Sequence, residues 1–347
     1  MSVDWRHAAI SALTEGHPVA LIRQCSVRGS TPREAGAKMV VTETSTAGTI
    51  GGGQLEWQAT DQARRLLAQP DLTYRLQDYP LGPILQQCCG GFARLLIERL
   101  GREDLNWLSA GDNGSSGAYI KTEWGQNTRS TIPISQAAWP EQAHDRIVLV
   151  DKSDRPLTAN DPLSHVAAVY EHLSPPPRPV VIFGAGHVGQ RLAHIMCQTD
   201  RPVAVIDTRA ESLSALAALP LKTYLTEMPA AERSRFPLNS DFVVLTHSHE
   251  LDYMIVLNIL SSPATGLCGL IGSRTKNQRF LRRLRQDGVT ELRCSDLTCP
   301  IGAGVLKGKT PAAIAIDIAA GLLQRDEEAI DSGLSLTAPT TQLIAAE

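Results

Sequence analysis

Gly184, Gly186 and Gly189 stand between an apolar run, Val180–Phe183, and a helical stretch, and a second apolar run at 203–206 closes on Asp207. This is the spacing of a dinucleotide-binding βαβ unit. The first glycine allows the tight turn, the second lets backbone approach a pyrophosphate, and the third lets helix and strand pack closely. The helix start offers unpaired N–H groups to an anion. Asp207 lies about 18 residues beyond Gly189, where a ribose-binding carboxylate belongs. The same glycines also suit a scaffold that has kept them for packing alone. His187, in the loop between them, reads as a solvent-facing polar residue or as an acid–base group.

Other reactive residue types recur at the ends of apolar runs. Thr246-His247-Ser248-His249, with Asp252 close behind, follows the strand-like run 242–245, and ligands of such sheets bind outside the carboxyl ends of strands. His-x-His suggests a metal, but the spacing and final His of the metallo-hydrolase pattern are missing, so a ligand-contacting loop without metal is preferred. At 271–276, Ser273 suits a helix cap, and Arg274 and Lys276 suit a phosphate. Over 272–288 six basic residues face one acid, which reads as a solvated face or a partner surface. Upstream, Gly51, Gly52 and Gly53 offer bare backbone to a phosphate or form a tight turn, and Arg28, Ser30, Thr31 and Arg33 in the preceding loop favour the anion. Glu56 reads as complementing the helix dipole. Cys88-Cys89-Gly90-Gly91 sets adjacent thiols before two glycines: Cys89 reads as a nucleophile or soft metal ligand, Cys88 as a small core residue.

The elements that must hold these residues fall into two modules. From residue 180 onward strands at 180–183, 203–206, 242–245 and 268–271 alternate with helices, which predicts a parallel, Rossmann-like sheet covered on both faces. Thr310-Pro311 starts a final helix through 323. Before it lies a different α/β module: helix at 5–13, strands at 19–25, 38–41, 92–98 and 146–150, and a helix at 54–68 with apolar residues on one face. The expected layout is an N-terminal domain over 1–173 with a polar middle segment at 111–145, a proline linker at 174–178, a Rossmann-like domain over 179–325 and a tail at 326–347.

At 347 residues the chain has room for two cores, and a net charge of −3 predicts neither nucleic-acid nor membrane attraction. No apolar run approaches the ~18 residues of a membrane span. The first residues lack the apolar stretch of a secretory signal, and seven cysteines without disulfide spacing predict reduced thiols in the cytoplasm. No Cys-x-x-Cys pair is present to build a structural zinc site.

Taken in order, these segments resemble the XdhC/CoxI family. In the first module the resemblance rests on Val27-x-Gly29-Ser30-Thr31-Pro32-Arg33-x-x-Gly36-Ala37-Lys38-Met39, Gly51-Gly52-Gly53-x-x-Glu56 and Cys89-Gly90-Gly91. In the second it rests on 181–189, Asp207-x-Arg209, Thr246-His247-x-His249-x-x-Asp252, Gly272-Ser273-Arg274-x-Lys276, Pro300-Ile301-Gly302 and Thr310-Pro311-x-x-Ile314-Ala315. The resemblance runs from about residue 5 to 325, except the polar middle. It implies an accessory protein, not a turnover enzyme. Such a protein binds and protects the molybdenum cofactor in its molybdopterin form, supports its sulfuration by a cysteine desulfurase and delivers it to xanthine dehydrogenase or a related molybdenum hydroxylase. It also implies a homodimer. Gly51, Gly52, Gly53 and Arg33 would then cradle the cofactor's phosphate and Cys89 would approach molybdenum. A crevice at Gly184, Gly186, His187, Gly189, Asp207, His247, His249 and Arg274 would hold the pterin, NAD(P) or another nucleotide. Gln54 stands where some relatives carry Cys, and Cys88 and Ala303-Gly304-Val305 depart from the usual pattern. Two other readings stay open: an NAD(P)-dependent oxidoreductase with His187, His247 or His249 as acid–base group, and a nucleotide-sensing module working through the 274–285 basic face.

Overall fold

The structure, a computed structural model, describes residues 5–82, 90–109, 118–125, 129–140, 146–173, 177–263, 266–302, 304, 306 and 308–335, with side chains to 328. Two compact units divide the chain, Ser2–Pro176 and Pro177–Asp331.

The first unit holds α1 (Trp5–Thr14), β1 (Val19–Arg28), β2 (Lys38–Val41), β3 (Thr46–Gly48), α2 (Gly53–Leu67), β4 (Tyr74–Pro80), β5 (Phe92–Leu100), α3 (Leu105–Ser109), β6 (Ala118–Trp124), β7 (Arg129–Ile134), β8 (Ile147–Val150) and β9 (Ala168–Leu173). Its larger sheet runs β3-β2-β1-β5-β4 and its smaller one β7-β6-β9-β8, with antiparallel pairing among the described strands. The first half of strand β1, Val19–Ile22, is an unbroken apolar run because both its faces are covered. Ala20 and Ile22 meet Leu55, Ala59 and Ala63 of α2 on one side, while Val19 and Leu21 meet Ala9, Leu13 and Trp107 on the other. Further along, Cys25 packs with Ile147 and Val169 of the smaller sheet.

Between the two sheets lies a set of charges. Arg23, on β1, has Nη2 2.7 Å from Glu98 Oε2 and Nη1 2.9 Å from Glu171 Oε2, and Lys38 Nζ sits 2.5 Å from the other Glu171 oxygen. Arg129 adds contacts to Glu98 (2.9 Å) and Asp104 (2.8 Å). Trp107 Nε1 donates to Asp104 at 2.6 Å. Arg23, Glu98 and Glu171 are fully buried. In these contacts three cations meet three carboxylates, the balance under which buried charge is tolerated, and the charge of buried Arg6 also acts on Glu171.

The second unit holds β10 (Val180–Phe183), α4 (His187–Met196), β11 (Val203–Asp207), α5 (Ala210–Ser214), β12 (Lys222–Leu225), β13 (Asp241–Val244), α6 (His249–Leu260), β14 (Cys268–Leu270), α7 (Arg274–Gln286), α8 (Glu291–Ser295), β15 (Leu297–Thr298) and α9 (Pro311–Ser335). The sheet is parallel throughout, ordered β12-β11-β10-β13-β14-β15. Alternation splits each strand between two cores: Val181 and Phe183 join α6 and α7, and Val180 and Ile182 join α4 and α9. The strand order reverses between β10 and β13, which opens a crevice outside their carboxyl ends.

The expected Rossmann-like parallel sheet is present, preceded by an α/β unit. Two details go beyond the sequence reading. The polar segment at 111–145 contains β6 and β7, and the final helix runs to Ser335, through the start of the tail expected from 326. Sheet pairing with β9 gives β6 a buried row at Ile120 and Thr122 that its polar composition conceals.

Candidate functional site

In the second unit the turn after β10 is built from glycines with different duties. Gly184 has φ +108°, and a Cβ there would stand 2.5 Å from the Leu245 carbonyl oxygen. A Cβ on Gly189 would stand 1.9 Å from the Gly184 carbonyl oxygen. Both are therefore required by the protein's own packing. Gly186, the cap of α4, has ordinary extended backbone (φ −77°, ψ −170°), and a Cβ there meets nothing within 4 Å. Its bareness answers no demand of the fold, whereas close approach of a ligand to the backbone would require it.

Asp207 ends β11 beside this turn, 4 % exposed. Its Oδ2 accepts from Ala185 N (2.6 Å) and Arg209 Nη2 (2.9 Å), and its Oδ1 from Arg209 N and Nε (2.9 Å each). Burial alone would raise this carboxyl; the hydrogen bonds from Arg209 and Ala185 override it and hold the group below the usual aspartate range. The crevice is completed by Gly184, Thr208, Pro229, Thr246 and His247.

Thr246, after β13, is fixed by Asp252, which is fully buried in α6 and accepts from Thr246 N (3.2 Å) and Oγ1 (2.6 Å). The other Asp252 oxygen receives Lys276 Nζ at 2.6 Å, and that ammonium also donates to the Ile271 carbonyl at 3.1 Å. Lys276, read from sequence as a phosphate contact, is thus turned inward and ties the ends of β13 and β14 together. Arg274 is exposed at the start of α7, behind the cap made by Ser273 Oγ to Lys276 N. His187, His247 and His249 are exposed; His249 Nδ1 lies 3.4 Å from Arg279 Nη2. Among the described residues no group of three His, Cys, Asp or Glu is placed to hold a metal. The basic face of α7 is partly neutralised: Arg283 forms a paired contact with Glu250 (2.8 Å twice) and Arg285 with Glu291 (2.7 Å twice).

In the first unit three segments far apart in the sequence meet. A Cβ on Gly51 would stand 2.4 Å from Pro32 Cβ and 3.4 Å from Arg33 Cγ. A Cβ on Gly91 would stand 2.1 Å from the Ser30 carbonyl oxygen, and one on Gly29 would stand 3.4 Å from Gly91 Cα. The 28–33 loop, the triple glycine and the Gly90-Gly91 pair therefore share one junction. Glu56 is its hub: one carboxylate oxygen accepts from Thr49 Oγ1 (2.5 Å), Ile50 N (3.1 Å) and Gly52 N (3.0 Å). Sequence reading gave Glu56 only a dipole role; it fastens the turn. Because Gly51 N also donates to Thr49 Oγ1, the amides left for an anion among the described residues of this turn include those of Gly53 and Gln54, at the start of α2. Gly52 has open space beside it, and Arg33 is exposed. Trp57, on the first turns of α2, is 66 % exposed, a feature the sequence did not flag. Cys88 and Cys89 lie outside the described residues, one step along the chain from Gly90.

A parallel six-stranded Rossmann sheet with a glycine–aspartate crevice, preceded by an antiparallel unit with a glycine junction, defines a two-module α/β protein. The chain belongs to the XdhC/CoxI family: residues 12–79 match the XdhC and CoxI family and residues 180–322 the XdhC Rossmann domain. It is 24 % identical over 308 residues to an uncharacterized Escherichia coli (strain K12) protein, YqeB, covering 88 % of this chain and 43 % of that one. The chain thus spans less than half the length of this relative. In fold it is similar to a Bacillus halodurans crystal structure described as a xanthine dehydrogenase. That match has a TM-score of 0.66 and 18 % identity, and covers 94 % of this chain and 96 % of the other. No described helix is long and apolar enough to cross a membrane.

Proposed function

We propose that this protein is a cytoplasmic accessory factor, not a turnover enzyme, that binds molybdenum cofactor as cargo. On this reading it protects the cofactor, supports its sulfuration by a cysteine desulfurase, and inserts it into xanthine dehydrogenase or a related molybdenum hydroxylase, working as a homodimer. The observation that carries the reading is the junction of the 28–33 loop, the triple glycine and Gly90-Gly91, which draws the motifs of the first unit into one place. The residues suit the cargo. The free amides of Gly53 and Gln54 and the Arg33 guanidinium fit a phosphate, and a Cys89 thiolate fits a soft metal. The exposed Trp57 ring fits a flat heterocycle.

Anaerobic titration of the full chain with molybdenum cofactor, followed by transfer to an apo-hydroxylase, tests this. The expected result is near-stoichiometric binding and gain of hydroxylase activity. Turnover of NAD(P)H with no cofactor binding would favour the oxidoreductase instead. Cys89→Ala should fold normally and retain less cofactor; unchanged retention removes the thiol from the mechanism.

A further inference from the structure

The crevice of the second unit has the outline of a nucleotide site, but its acid is already engaged. A carboxylate offers about four lone-pair positions, and Asp207 accepts four hydrogen bonds, three of them from Arg209 and one from Ala185 N. A ribose 2′,3′-diol binds such a carboxylate by donating hydroxyl protons to it, and here it would have to displace Arg209 or crowd a third donor onto one oxygen. What stands against that carboxylate, at the edge of the crevice, is the guanidinium of Arg209. Its side chain is 44 % exposed, and its Nη1 has no hydrogen-bond partner in the protein among the described residues. A planar guanidinium with outward N–H groups matches the oxygens of a phosphate. An independent sign of a ligand is Gly186, left bare beside open space at the cap of α4, where a diphosphate would approach backbone.

We propose that Arg209 sets the ligand class of this crevice: it admits a nucleotide carrying a phosphate monoester on the ribose and turns away the free diol. The bidentate Asp207 contact holds the guanidinium in place and cancels the negative charge that would otherwise repel the phosphate. This selectivity belongs to the second unit alone and stands whether or not the first unit carries molybdenum cofactor.

The test is calorimetric titration of the full chain with two ligands that differ by one group, ADP-ribose and 2′-phospho-ADP-ribose. The phosphorylated ligand is expected to bind at least ~10-fold more tightly, the loss expected when a charged contact of ~1.4 kcal/mol or more is missing. Arg209→Leu should reverse the preference, weakening the phosphorylated ligand and strengthening ADP-ribose as Asp207 is released. Arg209→Lys, which keeps the charge, should keep the preference in reduced form. The side chain is half exposed, so these variants fold, and thermal melts check that they do. A wild-type chain that binds ADP-ribose as tightly, or that binds neither ligand, overturns the proposal. So does an Arg209→Leu variant that discriminates as the wild type does.

Discussion

Gly186 and Gly189 stand three residues apart and answer to different masters. An alanine at 189 would drive its Cβ into the Gly184 carbonyl at 1.9 Å, so the turn or α4 must shift. Gly189→Ala is expected to lose ~1–3 kcal/mol of stability, as overpacked sites do. An alanine at 186 meets nothing and needs no unusual backbone, so Gly186→Ala should melt within about 0.5 kcal/mol of wild type. Its nucleotide affinity should nonetheless fall at least ~10-fold, because the added methyl stands where a diphosphate would approach. Paired thermal melts and calorimetric titrations decide the matter: full binding by Gly186→Ala would mean that the bare position serves no ligand. The first unit repeats the contrast. Gly51 is pinned by Pro32, whereas Gly52 has space but sits at φ +75°, ψ −167°, a region open to little but glycine.

At the scale of elements, buried charges as well as apolar contacts join the strands to their neighbours. Arg201 is 5 % exposed and reaches the Arg178 carbonyl (2.7 Å), the Leu322 carbonyl of α9 (3.3 Å) and the Asp241 carboxylate on β13. Arg201→Met strips these partners and leaves Asp241 buried with its charge unmatched. We expect a loss of ~3–5 kcal/mol in chemical denaturation, the cost of breaking a buried pair from one side; a loss under ~1 kcal/mol would show that the contact is not structural. Elements with strong local signals were legible in the sequence. The strands at 38–41 and 180–183 coincide with β2 and β10, and the glycine and proline punctuation marked the turns around them. The strands that were not legible are β3, β4, β6, β7, β9, β12 and β15. They are short or carry polar and charged residues, as β9 buries Glu171 and His172, and strand pairing rather than local pattern defines them. The site divides in the same way. Glycine spacing and Asp207 were visible because they are local, but the fastening of the triple glycine by Glu56, the inward turn of Lys276 onto Asp252 and the capture of Asp207 by Arg209 depend on side-chain geometry that spacing cannot encode.

Across the whole molecule, both units share a sensitivity to acid. Burial alone would raise the Glu171 carboxyl, but Lys38 and Arg23 override it and hold it below the ordinary glutamate value, and Asp207 is likewise held low by Arg209 and Ala185. A carboxyl whose pKa is lower folded than unfolded contributes stability above its unfolded value and loses it as pH falls through the folded one. The melting temperature should therefore be level above about pH 5 and fall increasingly below about pH 4, near the unperturbed carboxyl values. Glu171→Gln should lower it at neutral pH and flatten the acid fall; an unaltered acid limb would count against Glu171 as its source. The same charge cluster also sets an order of events during synthesis. Arg23 and Glu171 are 148 positions apart. At a ribosomal pace of ~5–20 residues per second, Arg23 is made roughly 7–30 seconds before this second partner, which follows Glu98, exists. For that interval β1 carries a cation made for an interior it cannot yet fully enter, so the first unit must wait for β9 before its core can close.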